Sequence, residues 1–369
     1  MKEILTKAEC SAMRGIAIIA IVLHNYCHFN GKIVQENEYQ FIDFNIDRLW
    51  QVLSSPTELL PAHLLSFFGH YGVPVFLFLS GFGLVRKYEK ESGGQVHDSC
   101  LRFLRYHYLK LFKMLIVGFS IFLVVDAVTP GRFTFYWQNV VAQLLMYINL
   151  LPEPEKIIWP GIYWFFGLML QLYIVYRLLL YRRSSWLVVG LIVVCWLLQA
   201  FCEPDGEVLN RLRYNCIGGM LPFGLGLLLG RSSLRAGRLS HGVGQLVPWG
   251  GTISPMGWDI LWAVTLLLAS LLVFVMSLSF QAWLWIPVFI IIGTIALVKL
   301  MPEWLLKGFV WFGGISAAMF VAHPIARKLF ITVAWKQDIY DGLMLYVVVT
   351  IALSWAVKQI IDHIPSPKL

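Results

Sequence analysis

Arg14 and His24 stand in one apolar stretch, RGIAIIAIVLHNYCH, with only aliphatic residues and Gly between them. An ionisable side chain is costly in a bilayer and faces protein or a water-filled cavity when it occurs there. Ten residues of helix set two such groups about 15 Å apart. Arg14 stays charged at any working pH. It suits either a phosphate or carboxylate near a membrane face, or an anchor that snorkels to the surface. His24 has an unperturbed pKa of about 6.5, which suits general-base work at neutral pH. The plainer alternative for it is a packed, hydrogen-bonded core residue. His28 follows one turn later on the same face. Two histidines hold a metal only with a third ligand, and no carboxylate falls in the middle of a predicted span, so no metal is expected.

A second group is basic: Arg86, Lys87, Lys90, Arg102, Arg105, Lys110 and Lys113, with His97 and His107. The segment CLRFLRYHYLKLFK leads directly into an apolar span and sets Arg105, His107, Lys110 and Lys113 within about two turns of its end. Such runs contact anionic lipid and set topology, and they also suit a polyphosphate. Acids gather in loops, including Glu36, Glu38, Glu153, Glu155 and Asp205. No acidic relay of the kind used by ion-coupled transporters lies within a span. No P-loop, G-x-S-x-G or H-E-x-x-H motif is present.

The elements that must position these groups are membrane helices. The chain has 369 residues, 58% hydrophobic and 14% charged, and a mean hydropathy of +0.70. Soluble domains carry roughly 25% charge. An all-α polytopic membrane protein is predicted, with about ten transmembrane helices in a single domain over 1–369. The spans lie near 11–30, 66–86, 109–128, 161–181, 185–202, 215–231, 258–278, 281–301, 308–331 and 341–361. The first follows an Arg and lacks a small-residue cleavage site, so it reads as a retained span. The net charge of +8 reflects the positive-inside bias rather than a nucleic-acid partner. Most of the 29 Lys and Arg fall in segments that are cytoplasmic if the N-terminus is, and an even number of spans then puts the C-terminus inside as well.

Two outer segments are long, near 30–66 and 129–160. In the second, YWQNVVAQLLMYINLL has helical apolar spacing and is expected to lie along the membrane surface. Trp137, Trp159, Trp164, Trp283 and Trp285 fall near outer boundaries, where they form an aromatic belt or stack on sugars. The six Cys form no C-x-x-C; Cys202 and Cys216 flank one outer loop, where a disulfide or two buried thiols are open readings.

The segments RGIAIIAIVLHN, GVPVFLFLSGFGL, FLRYHYLKLF, YWFFGLMLQLYIV and GGISAAMFVAHP occur in that order over about 10–325. Together they resemble the membrane acyltransferase-3 family, the bacterial O-acyltransferases of surface polysaccharides. The resemblance implies a ten-span core in the bacterial inner membrane. It implies that an acyl group, usually acetyl, passes from cytoplasmic acyl-CoA to a carbohydrate hydroxyl on the far side. The family's required Arg and His fall on Arg14 and His24, and its Ser-Gly-Phe on Ser80, Gly81 and Phe82. Its basic pair falls near His107 and Lys110, its Gln and Tyr on Gln171 and Tyr173, and its late Ser and His on Ser316 and His323. The chain departs from the pattern in three places. Nine residues rather than ten separate Arg14 from His24, which leaves them about 80° apart around a helix. His and Lys replace two Arg, and Met169 and Leu170 replace two acids.

The expected reaction has Arg14, Arg105, His107, Lys110 and Lys113 hold the donor phosphates while His24 acts as base. Ser80, Gln171 or Tyr173 stabilises the oxyanion, and His323 meets the sugar. A transporter or flippase of a polar or lipid-linked substrate is the alternative, and a non-catalytic scaffold is a third reading.

Overall fold

An apolar segment of about 20 residues satisfies its own backbone in a bilayer only as a helix. No strand occurs among the described residues, and the computed structural model describes residues 4–90, 99–242, 255–334 and 338–367. His97 lies outside them.

Helix α1 spans Lys7–Cys27 and starts at a capping box, in which Thr6 Oγ1 accepts from the Glu9 N–H and the Glu9 carboxylate accepts from the Thr6 N–H. It is followed by α2 (Asp43–Ser54), α3 (Leu60–Phe68), a 3-10 turn at Gly69–Tyr71 and α4 (Gly72–Tyr88). Next come α5 (Cys100–Val128), α6 (Trp137–Leu144) and α7 (Pro154–Ile157). A 3-10 turn at Gly161–Tyr163 leads into α8 (Trp164–Val175), which runs on into a π-helical turn at Tyr176–Leu180. The remaining helices are α9 (Ser185–Ala200), α10 (Glu207–Arg213), α11 (Cys216–Gly242), α12 (Pro255–Met276), α13 (Phe280–Trp283), α14 (Ile286–Leu300), α15 (Glu303–Ala334) and α16 (Ile339–His363).

Among the described residues, eight segments are long and apolar enough to cross a membrane: Lys7–Cys27, Leu60–Tyr88, Cys100–Val128, Gly161–Leu180, Cys216–Ala236, Gly257–Met276, Glu303–Phe330 and Ile339–His363. The shorter apolar helices α9 and α14 occupy the other two predicted positions. The predicted span at 281–301 is in fact two helices. Pro287 opens α14 in its first turn, where a missing N–H costs nothing, and α13 ends just before it.

Successive spans alternate in direction and define two ends. The basic end carries the start of α1, the end of α4 and the start of α5; the loop-rich end carries 28–59, 129–160 and 201–215. Ion pairs tie the helices at the basic end. Arg231 meets Glu89 through Nε and Nη2 at 2.8 and 2.9 Å, and Lys299 meets Glu9 at 2.8 Å. At the loop-rich end Lys328 pairs with Asp126 at 2.9 Å.

The most extensive packing is α1 along α15, followed by α4 on α11. Small residues bring the first pair together. A Cβ at Gly15 would lie 2.1 Å from the Phe309 carbonyl oxygen, and one at Gly313 would lie 1.9 Å from that of Ser11. The segment at 129–160 does not lie wholly on the surface. Ala142, Met146, Ile148 and Ile158 enter the main core, while Trp137 and Leu145 face outward. Cys202 and Cys216 are both free thiols, so the disulfide reading is not realised.

Candidate active site

The last turn of α1 places His24 and, one turn on, His28 at the loop-rich end. Two glycines bring the next span against it. A Cβ at Gly69 would sit 2.6 Å from the His24 Cβ, and one at Gly72 would sit 2.3 Å from the Ala17 carbonyl oxygen. This approach lets the Ser66 carbonyl take a hydrogen bond from His24 Nδ1 at 2.7 Å. A carbonyl only accepts, so the proton sits on Nδ1 and the lone pair of neutral His24 on Nε2. The Ser66 hydroxyl donates to the Val34 carbonyl at 2.7 Å, so one residue orients the imidazole and anchors the loop after α1.

That loop brings in Glu36, whose side chain is 7% exposed. Asn45 of α2 donates to the Glu36 carbonyl at 3.0 Å and holds its backbone. One carboxylate oxygen accepts from His28 Nδ1 at 2.7 Å, and the other lies 3.8 Å from His24 Nε2. Burial works to raise the pKa of Glu36, but His24, His28 and His70 more than offset it and hold the carboxyl at about 2. It is therefore ionised at any working pH. The next acid along behaves oppositely: burial, reinforced by the negative charge of Glu36, pushes Glu38 up to about 8. His70 is 3% exposed and its ring is 5.6 Å from that of His24.

These groups line a cavity of about 610 Å³. Phe320 and Arg327 of α15, Trp159, and Trp164 and Phe165 of α8 line it as well. Tyr39 and Tyr214, stacked at 3.9 Å, close one side. Of the five tryptophans expected near the outer boundary, Trp159 and Trp164 reach this cavity. Trp283 is buried, donating to the Asn37 carbonyl at 2.9 Å, and Trp137 is exposed.

No carboxylate was expected within a span, and Glu36 instead reaches His24 and His28 from the loop after α1. The ligand atoms of the three lie within 4.8 Å of one another, so these residues could hold a metal ion. The contact they make is a direct His28–Glu36 hydrogen bond, with His24 standing off.

Arg14 belongs to a different cluster. It lies near enough to Tyr173 for its charge to act there. Tyr173 accepts from Ser80 Oγ at 3.4 Å, and its ring is 4.3 Å from that of His107. His107 Nε2 meets the Tyr88 hydroxyl at 3.2 Å. The remaining basic candidates do not converge with His107. It is buried whereas Arg105 and Lys110 are exposed, and Lys113 donates to the Ile364 carbonyl at 2.6 Å. Gln171 spends both ends of its amide inside the protein, donating to Asn215 Oδ1 and accepting from the Cys216 N–H, each at 2.9 Å. Ser316 donates to the Gly313 carbonyl at 2.9 Å, beside the α1 contact. His323 lies behind the cavity wall, fully buried, with Nδ1 on the Met319 carbonyl at 3.0 Å and Nε2 without a partner among the described residues.

Glu36, His70 and Arg327 were missed from the sequence. Arg327, four residues past His323 in an apolar span, carried the same signal as Arg14: a charge in a costly place. Glu36 carried none, being one of several acids in an outer loop.

The helices and the two polar clusters define a helical polytopic membrane protein with polar side chains gathered at both ends of one span. The family model described as an acyltransferase domain matches residues 9–358, nearly the whole chain, and the protein belongs to this acyltransferase-3 family. No match was found among the curated proteins or among the solved structures.

Proposed function

We propose that this acyltransferase moves an acyl group, most simply acetyl, from cytoplasmic acyl-CoA to a hydroxyl of a cell-surface or lipid-linked carbohydrate. It works in the bacterial inner membrane, with His24 as general base. The observation that carries this reading is the state of one imidazole: His24 has Nδ1 held by Ser66 and Nε2 directed toward ionised Glu36 in the cavity.

The acceptor hydroxyl gives its proton to His24 Nε2 while its oxygen attacks the thioester carbonyl. The tetrahedral adduct then collapses, the C–S bond breaks, and the CoA thiolate takes the proton back from the imidazolium. Glu36 favours that imidazolium while it exists. Gln171 is engaged elsewhere, so the oxyanion donor assigned beside His24 is the N–H of His70, which lines the same cavity. The donor enters at the basic end. Arg14, Ser80, Tyr173 and His107 guide it, and Arg105, Lys110 and Lys113 attract its phosphates from the surface. The thioester then reaches His24 along the roughly 15 Å of α1 that separates it from Arg14. The carbohydrate lies in the outer cavity against Trp159 and Trp164. The route needs no metal.

Purified protein in liposomes, supplied with labelled acetyl-CoA and a surface glycan, provides the test. Label appears on the glycan. His24→Gln lowers kcat by about 10² to 10⁴-fold, the usual scale of general-base help, with the melting temperature unchanged. Full activity in that variant overturns the assignment. A flippase would instead move the glycan across vesicles that contain no acyl-CoA.

A further inference from the structure

Arg327 stands out among the groups that the reaction does not use. It is 4% exposed, lies inside a membrane-spanning helix and lines the cavity. Its Nη1 donates to Asn25 Oδ1 at 3.2 Å. The guanidinium carbon lies 3.7 Å from the centroid of Phe29 and 5.0 Å from that of Trp159. Yet it makes no ion pair among the described residues. Its neighbour Lys328 is matched by Asp126 at 2.9 Å, while Glu36, one of the carboxylates that line the cavity, is taken by His28 at 2.7 Å. A buried charge without a counter-charge is expensive, and aromatic faces and one neutral amide return only part of the cost. A charged arginine kept in that condition at a cavity wall is built to receive an anion. Its planar fork fits a carboxylate or phosphate through paired hydrogen bonds.

We propose that the acceptor carbohydrate is acidic, and that its anionic group seats against Arg327. This rests on the reading of the outer cavity as the acceptor site. The anion comes with the acceptor rather than the donor, because the cavity lies at the loop-rich end, away from the basic cluster around His107. Seated there, the anion would hold the sugar by one group, with Phe29 and Trp159 flanking the guanidinium. A hydroxyl elsewhere on the sugar would then face His24. Arg327 is thus a specificity residue and takes no part in the bond changes.

The test measures binding without any acyl-CoA, on the full chain in nanodiscs. Three matched oligosaccharides serve as probes: one bearing a uronate, the same one with its carboxyl reduced to an alcohol, and one bearing a sugar phosphate. Wild type binds at least one anionic probe about tenfold or more tighter than the neutral one, the scale of a charge-assisted hydrogen bond. Whichever anion binds tighter identifies the source as an acidic sugar or a phosphate. Arg327→Gln loses that preference, binding anionic and neutral probes alike. Arg327→Lys, which keeps the charge but not the fork, retains part of it and serves if the Gln variant does not fold. Equal affinity of wild type for all three probes overturns this proposal alone, as does an undiminished preference in Arg327→Gln. Failure of every probe to bind removes the acceptor site itself, and the proposal with it.

Discussion

His24 does not stand alone, and the residue beside it was the hardest to see from the sequence. Arg14 and His24 are legible because the bilayer makes each expensive. Glu36 sits twelve residues further on in an acidic loop, and only folding decides which acid turns inward. Ser66 and Asn45 make that decision, by hydrogen bonds to Val34 and Glu36 that no spacing announces. Glu36→Gln keeps the shape and removes the charge beside the imidazole. It should lower kcat by about 10- to 100-fold, the scale on which an opposite charge within about 4–6 Å favours a charged partner, and leave KM for acyl-CoA unchanged. Steady-state kinetics at saturating acceptor check this. Glu38 supplies a pH signature. Its carboxyl moves from 4.5 in the unfolded chain to about 8 in the fold, so between those values the folded protein holds a proton that the unfolded one has lost. Its contribution to stability therefore falls as pH rises from about 4.5 to about 8 and is level above. Glu38→Gln cannot titrate, so its melting temperature should gain on that of wild type across this window and hold a constant lead above it. Thermal unfolding in detergent at matched pH values measures the difference.

At the level of helices, the positions of the spans were readable from hydropathy, and the contacts between them were not. The segment at 281–301 reads as one apolar run because hydropathy ignores what Pro287 does to a backbone. The surface helix expected in 129–160 keeps a short helical piece, but its apolar side turns into the protein core rather than into lipid. The junction of α1 with α3 and α4 carries the proposed active geometry, and Gly69 and Gly72 make it possible. Alanine at either position puts a methyl group where the backbone or the His24 Cβ already lies. Overpacking of this sort costs typically about 1–3 kcal/mol. Gly69→Ala should lower the melting temperature and reduce activity, because the shift that relieves the clash moves Ser66 away from His24 Nδ1. Gly83, on the same span, has nothing within 4 Å of the point a Cβ would occupy, so Gly83→Ala should be silent in both measurements. Comparing the three alanine variants by thermal unfolding and acetyl transfer separates loss of approach from loss of glycine as such.

Across the whole molecule, the proposed reaction depends on having two ends. A phosphate-bearing donor suits the end with Arg14 and His107, and a carbohydrate suits the end with the 610 Å³ cavity. Charge distribution in the sequence already argues for the basic end being cytoplasmic, since loop Lys and Arg set orientation. The division of labour between the ends was less visible, because Arg14 and His24 share a helix and look like one site until their neighbours are known. The protein carries its own reporters of orientation. Cys100 opens α5 at the basic end, Cys202 follows α9 at the loop-rich end, and both are free and partly exposed. Variants that keep one of these two and replace the other cysteines with serine or alanine should behave oppositely toward a membrane-impermeant maleimide. Cys202 should label in intact spheroplasts and Cys100 only in inverted vesicles. Acetyl-CoA added outside should then support transfer in the inverted vesicles and not in the spheroplasts, because only there does it meet the basic end. Labelling of Cys100 from outside the cell would reverse the orientation and place the donor cluster on the wrong side for a cytoplasmic acyl-CoA. The cysteine pattern therefore tests the direction of acyl transfer independently of any catalytic residue.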